Sequence, residues 1–119
     1  MNVIINFQIE GCHNWPRAKE IFPEVGFLSD RHRHMFHICC KKKVTHTDRD
    51  IEIIMLKRDI IDWFHKNYYS TTTRCLEFGP MSCEMIVEEL INQFDLCYCS
   101  VLEDGENGAE DFKNVNIKE

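Results

Sequence analysis

The chain has 119 residues and 14.2 kDa, enough for a single domain spanning 1–119. Its composition (44% apolar, 29% charged, 11% aromatic) excludes a disordered chain, a collagen and a coiled coil, and no apolar run approaches the roughly 18 residues of a membrane span. The formal charge of −6 is uneven, with −4 on residues 103–119 and −2 on the rest, so the basic stripe that a nucleic-acid surface requires is missing.

Asn2 to Ile9 alternates, with Val3, Ile5, Phe7 and Ile9 on one face and Asn2, Asn6 and Gln8 on the other. This predicts a strand with one face toward a core. The start, MNVIINFQIE, has neither a basic n-region nor a small-residue cleavage site, so no secretory signal is expected, and the seven cysteines, read as reduced thiols, imply a reducing cytoplasm. Gly11 to Asp30, punctuated by Pro16, Pro23 and Gly26, predicts a loop. A second strand is predicted from His34 to His46, with Phe36, Ile38, Cys40 and Val44 on a shared face, and Lys41, Lys42 and Lys43 as a solvated edge. Ile51 to Ile54 reads as a short strand or the approach to one.

Leu56, Ile60, Trp63 and Phe64 have helical spacing and predict a helix over Met55 to Lys66. Tyr68 to Glu77 reads as a polar connector. After the Gly79-Pro80 break, Ser82 is placed to cap a second helix whose stripe is Ile86, Val87, Leu90, Ile91 and Phe94. Leu96 to Leu102 predicts a strand, Asp104 to Gly108 a turn, and Phe112 to Ile117 a last strand. The predicted fold is α+β, in the order ββααββ, with both helices on one face of an antiparallel sheet.

Seven cysteines, an odd number without a CxxC pair, argue against a disulfide scaffold or a zinc-thiolate site and fit reduced thiols used as small core residues. The histidines carry more chemistry. In a strand, His32 and His34 project from one face toward a single point, as two nitrogen ligands of a metal require. His13 follows the first strand with the parity of its apolar residues, and a neighbouring antiparallel strand can bring it alongside. Three histidines with an open fourth position form the pattern of a catalytic rather than a structural zinc. Read from spacing alone, the alternative of a polar surface patch stays open. His37 has the opposite parity. Glu103 ends an apolar strand in phase with Cys97, Cys99 and Val101, so it either meets a donor on the buried face or begins a solvated acidic turn. Glu84 either complements the helix dipole or binds a ligand.

FQIEGCH (Phe7 to His13) followed by HRHMF (His32 to Phe36) resembles the 6-pyruvoyl- and 6-carboxy-tetrahydropterin synthase family. There, a first strand ends in a histidine and His-Gly-His-Asn-Tyr opens the second. Ser82-Cys83-Glu84-Met85 is similar to that family's Thr-(Ser/Ala/Thr)-Glu-Asn, and Val101-Leu102-Glu103-Asp104 to its closing Glu-Thr. The resemblance covers most of the chain in order. It implies a tunnelling fold whose sheets join into an oligomeric barrel, a hexamer with sites between subunits. It also implies Zn2+ on His13, His32 and His34, and a reduced pterin or purine-like ring held by Glu103 with Ser82, Cys83 and Glu84 nearby. The implied chemistry is that of a carbon–oxygen lyase in queuosine or tetrahydrobiopterin biosynthesis.

The chain departs from the family in three respects. The cysteine expected about four residues before the first histidine of the pair is absent from Phe27-Leu28-Ser29-Asp30. The family's Asp-His pair has no clear match, and Arg33 and Met35 replace its Gly and Asn. Cys12, Asp30, His37 and His65 stand unranked as substitutes for the general base. A non-catalytic pterin-, purine- or nucleotide-binding oligomer is the alternative.

Overall fold

Alternation in β1 (Asn2–His13) extends four residues past the predicted strand end: Ile5, Phe7 and Ile9 are buried, and Gly11 and His13 continue the same face. In the computed structural model, which describes residues 1–113, β1 pairs antiparallel with β2 (His32–Lys43) over its whole length. The register sets Phe7 against Ile38, Ile9 against Phe36, Gly11 against His34 and His13 against His32. Successive residues of a strand face opposite ways, so each pair shares one face of the sheet. The segment between the two strands was expected to be a loop. It contains a single helical turn, α1 (Ala18–Ile21), and a 3-10 segment (Pro23–Ser29) that begins at the proline whose fixed φ suits a first helical position.

Ile53 and Ile54 belong to no strand. They open helix α2 (Ile53–Tyr68), because the Glu52 carboxylate accepts a hydrogen bond from the Met55 amide at 2.7 Å and caps the first turn. The expected polar connector contains β3 (Tyr69–Ser70) and β4 (Cys75–Gly79). β4 runs parallel to β1, so the sheet is mixed rather than purely antiparallel, and a pair of strands separates the two helices where ββααββ was expected. Helix α3 (Cys83–Phe94) starts where Ser82 was expected to cap it, with its hydroxyl accepting from the Met85 amide at 3.2 Å. It ends at Asp95 in the left-handed region (φ 51°).

β5 (Tyr98–Glu103) and β6 (Asn107–Phe112) follow, giving the strand order β3-β4-β1-β2-β5-β6. The last strand thus begins five residues earlier than expected, and the stretch 114–117 of that expectation lies outside the described residues. Among the described residues, no helix is long and apolar enough to cross a membrane.

Leu56, Ile60 and Phe64 of α2 and Ile86, Val87, Leu90 and Ile91 of α3 join one buried cluster with Ile5, Phe7, Ile9, Phe36, Ile38, Cys40, Cys99 and Val101. Both helices therefore cover the same sheet face, as expected. Each fully buried aliphatic or aromatic side chain stabilises that cluster by roughly 1.5–3 kcal/mol. Phe36, fully buried, meets Phe78 edge-on at 5.3 Å, His13 at 5.4 Å and His34 at 5.7 Å, and so forms the boundary between core and histidines.

Gly11 is required by this packing: a Cβ there would lie 2.3 Å from Phe78 Cε2 and 3.1 Å from Phe36 Cε2. Gly11→Ala is expected to destabilise the fold by about 1–3 kcal/mol through overpacking. A shift in the urea midpoint with unchanged m-value is the measurement, and an unshifted midpoint would contradict the packing described.

Candidate metal centre

Antiparallel register places His13 beside His32, while His34 follows two residues along β2 on the same face. The three imidazole centroids lie 4.6, 5.3 and 5.0 Å apart. From the other side, β5 pairs with β2 so that Glu103 stands opposite Phe36, on the same face of the sheet. His13, His32, His34 and Glu103 offer ligating atoms that all lie within 4.8 Å of one another, a grouping that could hold a metal ion. His13 is buried and the other three are partly buried.

The second nitrogen of each ring is already committed. His13 Nδ1–H donates to the Met81 carbonyl at 2.8 Å, and His32 Nδ1–H donates to the Asp30 carbonyl at 2.8 Å. A carbonyl can only accept, so in the neutral ring both contacts place the proton on Nδ1 and leave Nε2 with its lone pair. His34 Nδ1–H donates to Asp104 Oδ2 at 2.7 Å, and Asp104 Oδ1 accepts from the Met35 amide at 2.9 Å. The Met35 N–H, with His34 second, holds the Asp104 carboxyl below the usual carboxylate range. Orientation by a carboxylate or carbonyl is what metal-bound imidazoles require of their surroundings.

The three Nε2 atoms therefore converge as acceptors. His13 Nε2 lies 2.8 Å from Glu103 Oε2, and His34 Nε2 lies 3.5 Å from the same oxygen. The first separation has hydrogen-bond length but not its alignment, and both Nε2 atoms are buried without a hydrogen-bond partner. Facing acceptors in a buried place repel one another unless a proton or a cation lies between them. A nitrogen-rich set with one carboxylate fits a borderline d-block divalent ion.

The chain turns that complete the centre are local. Gly79, at φ +59°, turns the end of β4 toward α3 and brings the Met81 carbonyl to His13. The ends of the 14–31 segment are pinned there by Asn14 N–H to the Gly79 carbonyl (2.9 Å) and Trp15 N–H to the Leu28 carbonyl (2.7 Å). A cleft of ≈ 430 Å³ opens beside the imidazoles, lined among others by Trp15, Ser82, Cys83, Glu84 and Glu103. Cys83 is buried, and burial first, then the Glu103 and Glu84 carboxylates, push its thiol up to about 12.

The seven residues expected to hold the metal or the ring thus lie at this end of the sheet: His13, His32 and Glu103 line the cleft with Ser82, Cys83 and Glu84, and His34 completes the ligating group. The four substitutes for a general base do not line it. Cys12 is buried with its sulfur 3.6 Å from that of Cys75. His37 packs on Gly105, and His65 stacks on Tyr69 at 5.6 Å. Asp30 contributes only its carbonyl. The sequence reading missed Asp104 and the Met81 carbonyl. The parity of Asp104, one residue beyond Glu103, hid a side chain that reaches His34 only because its backbone turns left-handed (φ 55°). No protein-family model matches the chain, and a search of curated proteins gives no match either.

Asn tolerates that backbone at position 104 but offers one acceptor oxygen to two donors, the Met35 and His34 N–H groups. Asp104→Asn is expected to weaken metal binding about 10- to 100-fold while leaving the fold intact. Competition with a chromophoric chelator measures this, and wild-type affinity in the variant would refute the orienting role.

Proposed function

We propose that the chain is a zinc-dependent, tetrahydropterin synthase-like protein of tunnelling fold, acting on a reduced pterin of the dihydroneopterin triphosphate type or on a related purine-like ring. The observation that carries this reading is the convergence of three imidazole Nε2 atoms, each with its Nδ1 committed to an acceptor, beside Glu103 at the edge of a cleft. Motif order supports it: the strand ending at His13, the His32-x-His34 pair, the capped helix at Ser82-Cys83-Glu84 and the strand ending at Glu103 follow as in the family the sequence resembles.

In this reading His13, His32 and His34 hold zinc, which when bound supplies a Lewis acid that lowers the pKa of hydroxyls on the substrate side chain. The chain's own groups bind and orient. The Glu103 carboxylate receives the paired N–H donors of a guanidine-like ring edge in two parallel hydrogen bonds. Ser82 keeps its hydroxyl on the α3 cap and so holds the first turn, with Cys83 and Glu84, against the cleft. Trp15 and Leu28 supply apolar wall, as ring-binding clefts require. Assembly into a barrel, of hexameric type, is part of the proposal, as is a cytoplasmic location. β6 forms a sheet edge ending in exposed Phe112, and its first residues, Asn107 and Gly108, border the cleft. That geometry supports completion of the site by a neighbouring subunit.

One observation favours a second reading, a non-catalytic binding oligomer. Cys83 is the thiol that borders the cleft, and it is held protonated, whereas Cys12, Asp30, His37 and His65 do not line it. Proton abstraction at carbon needs a base within reach of the ring.

Zinc-loaded protein incubated with dihydroneopterin triphosphate is expected to release triphosphate and a modified pterin. Retention of unchanged ligand, abolished by Glu103→Ala, would select the binding reading. Failure to bind the ligand at all, with zinc in place, would refute both. His32→Ala and His34→Ala are each expected to lower zinc content by one equivalent, read by atomic emission.

A further inference from the structure

A second group of ligating atoms lies on the sheet face opposite the imidazoles. The β1–β4 register shifts between Cys12 and His13, and these neighbours deliver a thiol to one face and an imidazole to the other. Cys12 Sγ lies 3.6 Å from Cys75 Sγ, and with the Glu77 carboxylate they form a group whose donor atoms all lie within 4.8 Å of one another. The thiols are 3% and 7% exposed, whereas the Glu77 side chain is 28% exposed. Cys75 also borders a surface cleft of ≈ 310 Å³ with Glu10, His65 and Arg74, which gives solvent and ions a route to the pair.

A close thiol pair has three uses: packing, a disulfide or a metal. A disulfide holds its sulfurs about 2.0 Å apart. Two thiolates on a tetrahedral ion, with metal–sulfur bonds of about 2.3 Å, stand about 3.8 Å apart, close to the separation seen. A thiophilic cation displaces the thiol protons directly.

Glu77 separates this pair from mere packing. Its carboxylate is held beside the sulfurs by the Arg31 guanidinium, with Nε donating to Oε1 at 2.7 Å and a terminal nitrogen to Oε2 at 2.6 Å. The Thr73 hydroxyl also donates to Oε2, at 2.7 Å. Oε1 accepts a single bond and keeps a lone pair for a cation. A ligating carboxylate fixed by outer hydrogen bonds is the arrangement that metal sites use.

We propose that Cys12, Cys75 and Glu77 form a second metal centre that takes a thiophilic divalent cation, Zn2+ or Cd2+. Two metal–sulfur bonds and one metal–oxygen bond form, two S–H bonds break, two protons pass to solvent, and no electron is transferred. The centre stands independently of the pterin reading and of zinc at the imidazoles.

Metal-free full-length chain titrated with Cd2+ is expected to develop an ultraviolet thiolate-to-cadmium charge-transfer band that saturates at one equivalent. His32→Ala and Cys83→Ser should keep the band, because neither touches this group. The double variant Cys12→Ser/Cys75→Ser should lose it, with circular dichroism checking the fold. Glu77→Gln, at a partly exposed position, should weaken the band's half-saturation about tenfold, and it serves should the double variant not fold. No band in the wild-type chain overturns the proposal. So does a band that survives the double serine variant, or one lost in His32→Ala, which would place the cadmium at the imidazoles.

Discussion

Lone pairs that face one another away from water repel until positive charge is placed between them, and this constraint organises one end of the molecule. His13 Nε2 and Glu103 Oε2 stand 2.8 Å apart without hydrogen-bond alignment, and His34 Nε2 lies 3.5 Å from the same oxygen. A neutral ring cannot relieve the conflict by moving its proton to Nε2, because each Nδ1–H is engaged, with the Met81 carbonyl, the Asp30 carbonyl and the Asp104 carboxylate, so relief takes an added positive charge, a second proton or a cation. Releasing Nδ1 would orphan those acceptors, at roughly 1–3 kcal/mol where they are buried. The outer hydrogen bonds thus hold three acceptors in position for a cation, and the centre is legible from what surrounds the ligands as much as from the ligands themselves.

The sheet provides this geometry through a change of composition along one face. From Ile5 to Ile9 on β1, from Phe36 to Cys40 on β2 and over Cys99 and Val101 on β5, that face is apolar and covered by both long helices. Further along each strand it turns polar, past Gly11 at His13, at His34 and His32, and at Glu103. Phe36 lies at the junction, edge-on to two of the imidazoles and to Phe78. Gly11 leaves the space that Phe78 fills. The site is therefore an extension of the core: strands packed on it place the ligands, and the turns at Asp30, Met81 and Asp104 orient the rings.

What could be read from the sequence divides along the same physical line. Strands with one buried face show themselves by alternation, and so β1, β2 and β5 were legible, as were the shared parity of His32 and His34 and that of Glu103 with Cys99 and Val101. The α3 cap at Ser82 was legible because capping is local chemistry. β4 was not. It has five residues, too few for a period to emerge, and its parallel pairing with β1 follows from tertiary packing of Leu76 and Phe78. Missing it made the sheet antiparallel on paper, and it hid the Gly79–Met81 turn that orients His13. Asp104 escaped for a similar reason, since its role depends on a left-handed backbone that nothing in the run Glu103-Asp104-Gly105-Glu106 distinguishes from an acidic turn.

The distribution of these groups separates two properties. Every contact that orients the imidazoles is made within one chain, between strands and turns already fixed by the core. The grouping that could hold a metal ion is accordingly complete within the single chain. The cleft is different: it is bordered by Asn107 and Gly108 at the start of the edge strand β6, and the candidate bases of this chain lie away from it. Under the proposed assembly, a ring held by Glu103 would be enclosed by whatever pairs with or abuts that edge, and a missing base would have to come from there as well. Cation binding and ring chemistry then answer to different parts of the molecule, the first to the β1–β2 register and the second to the oligomer.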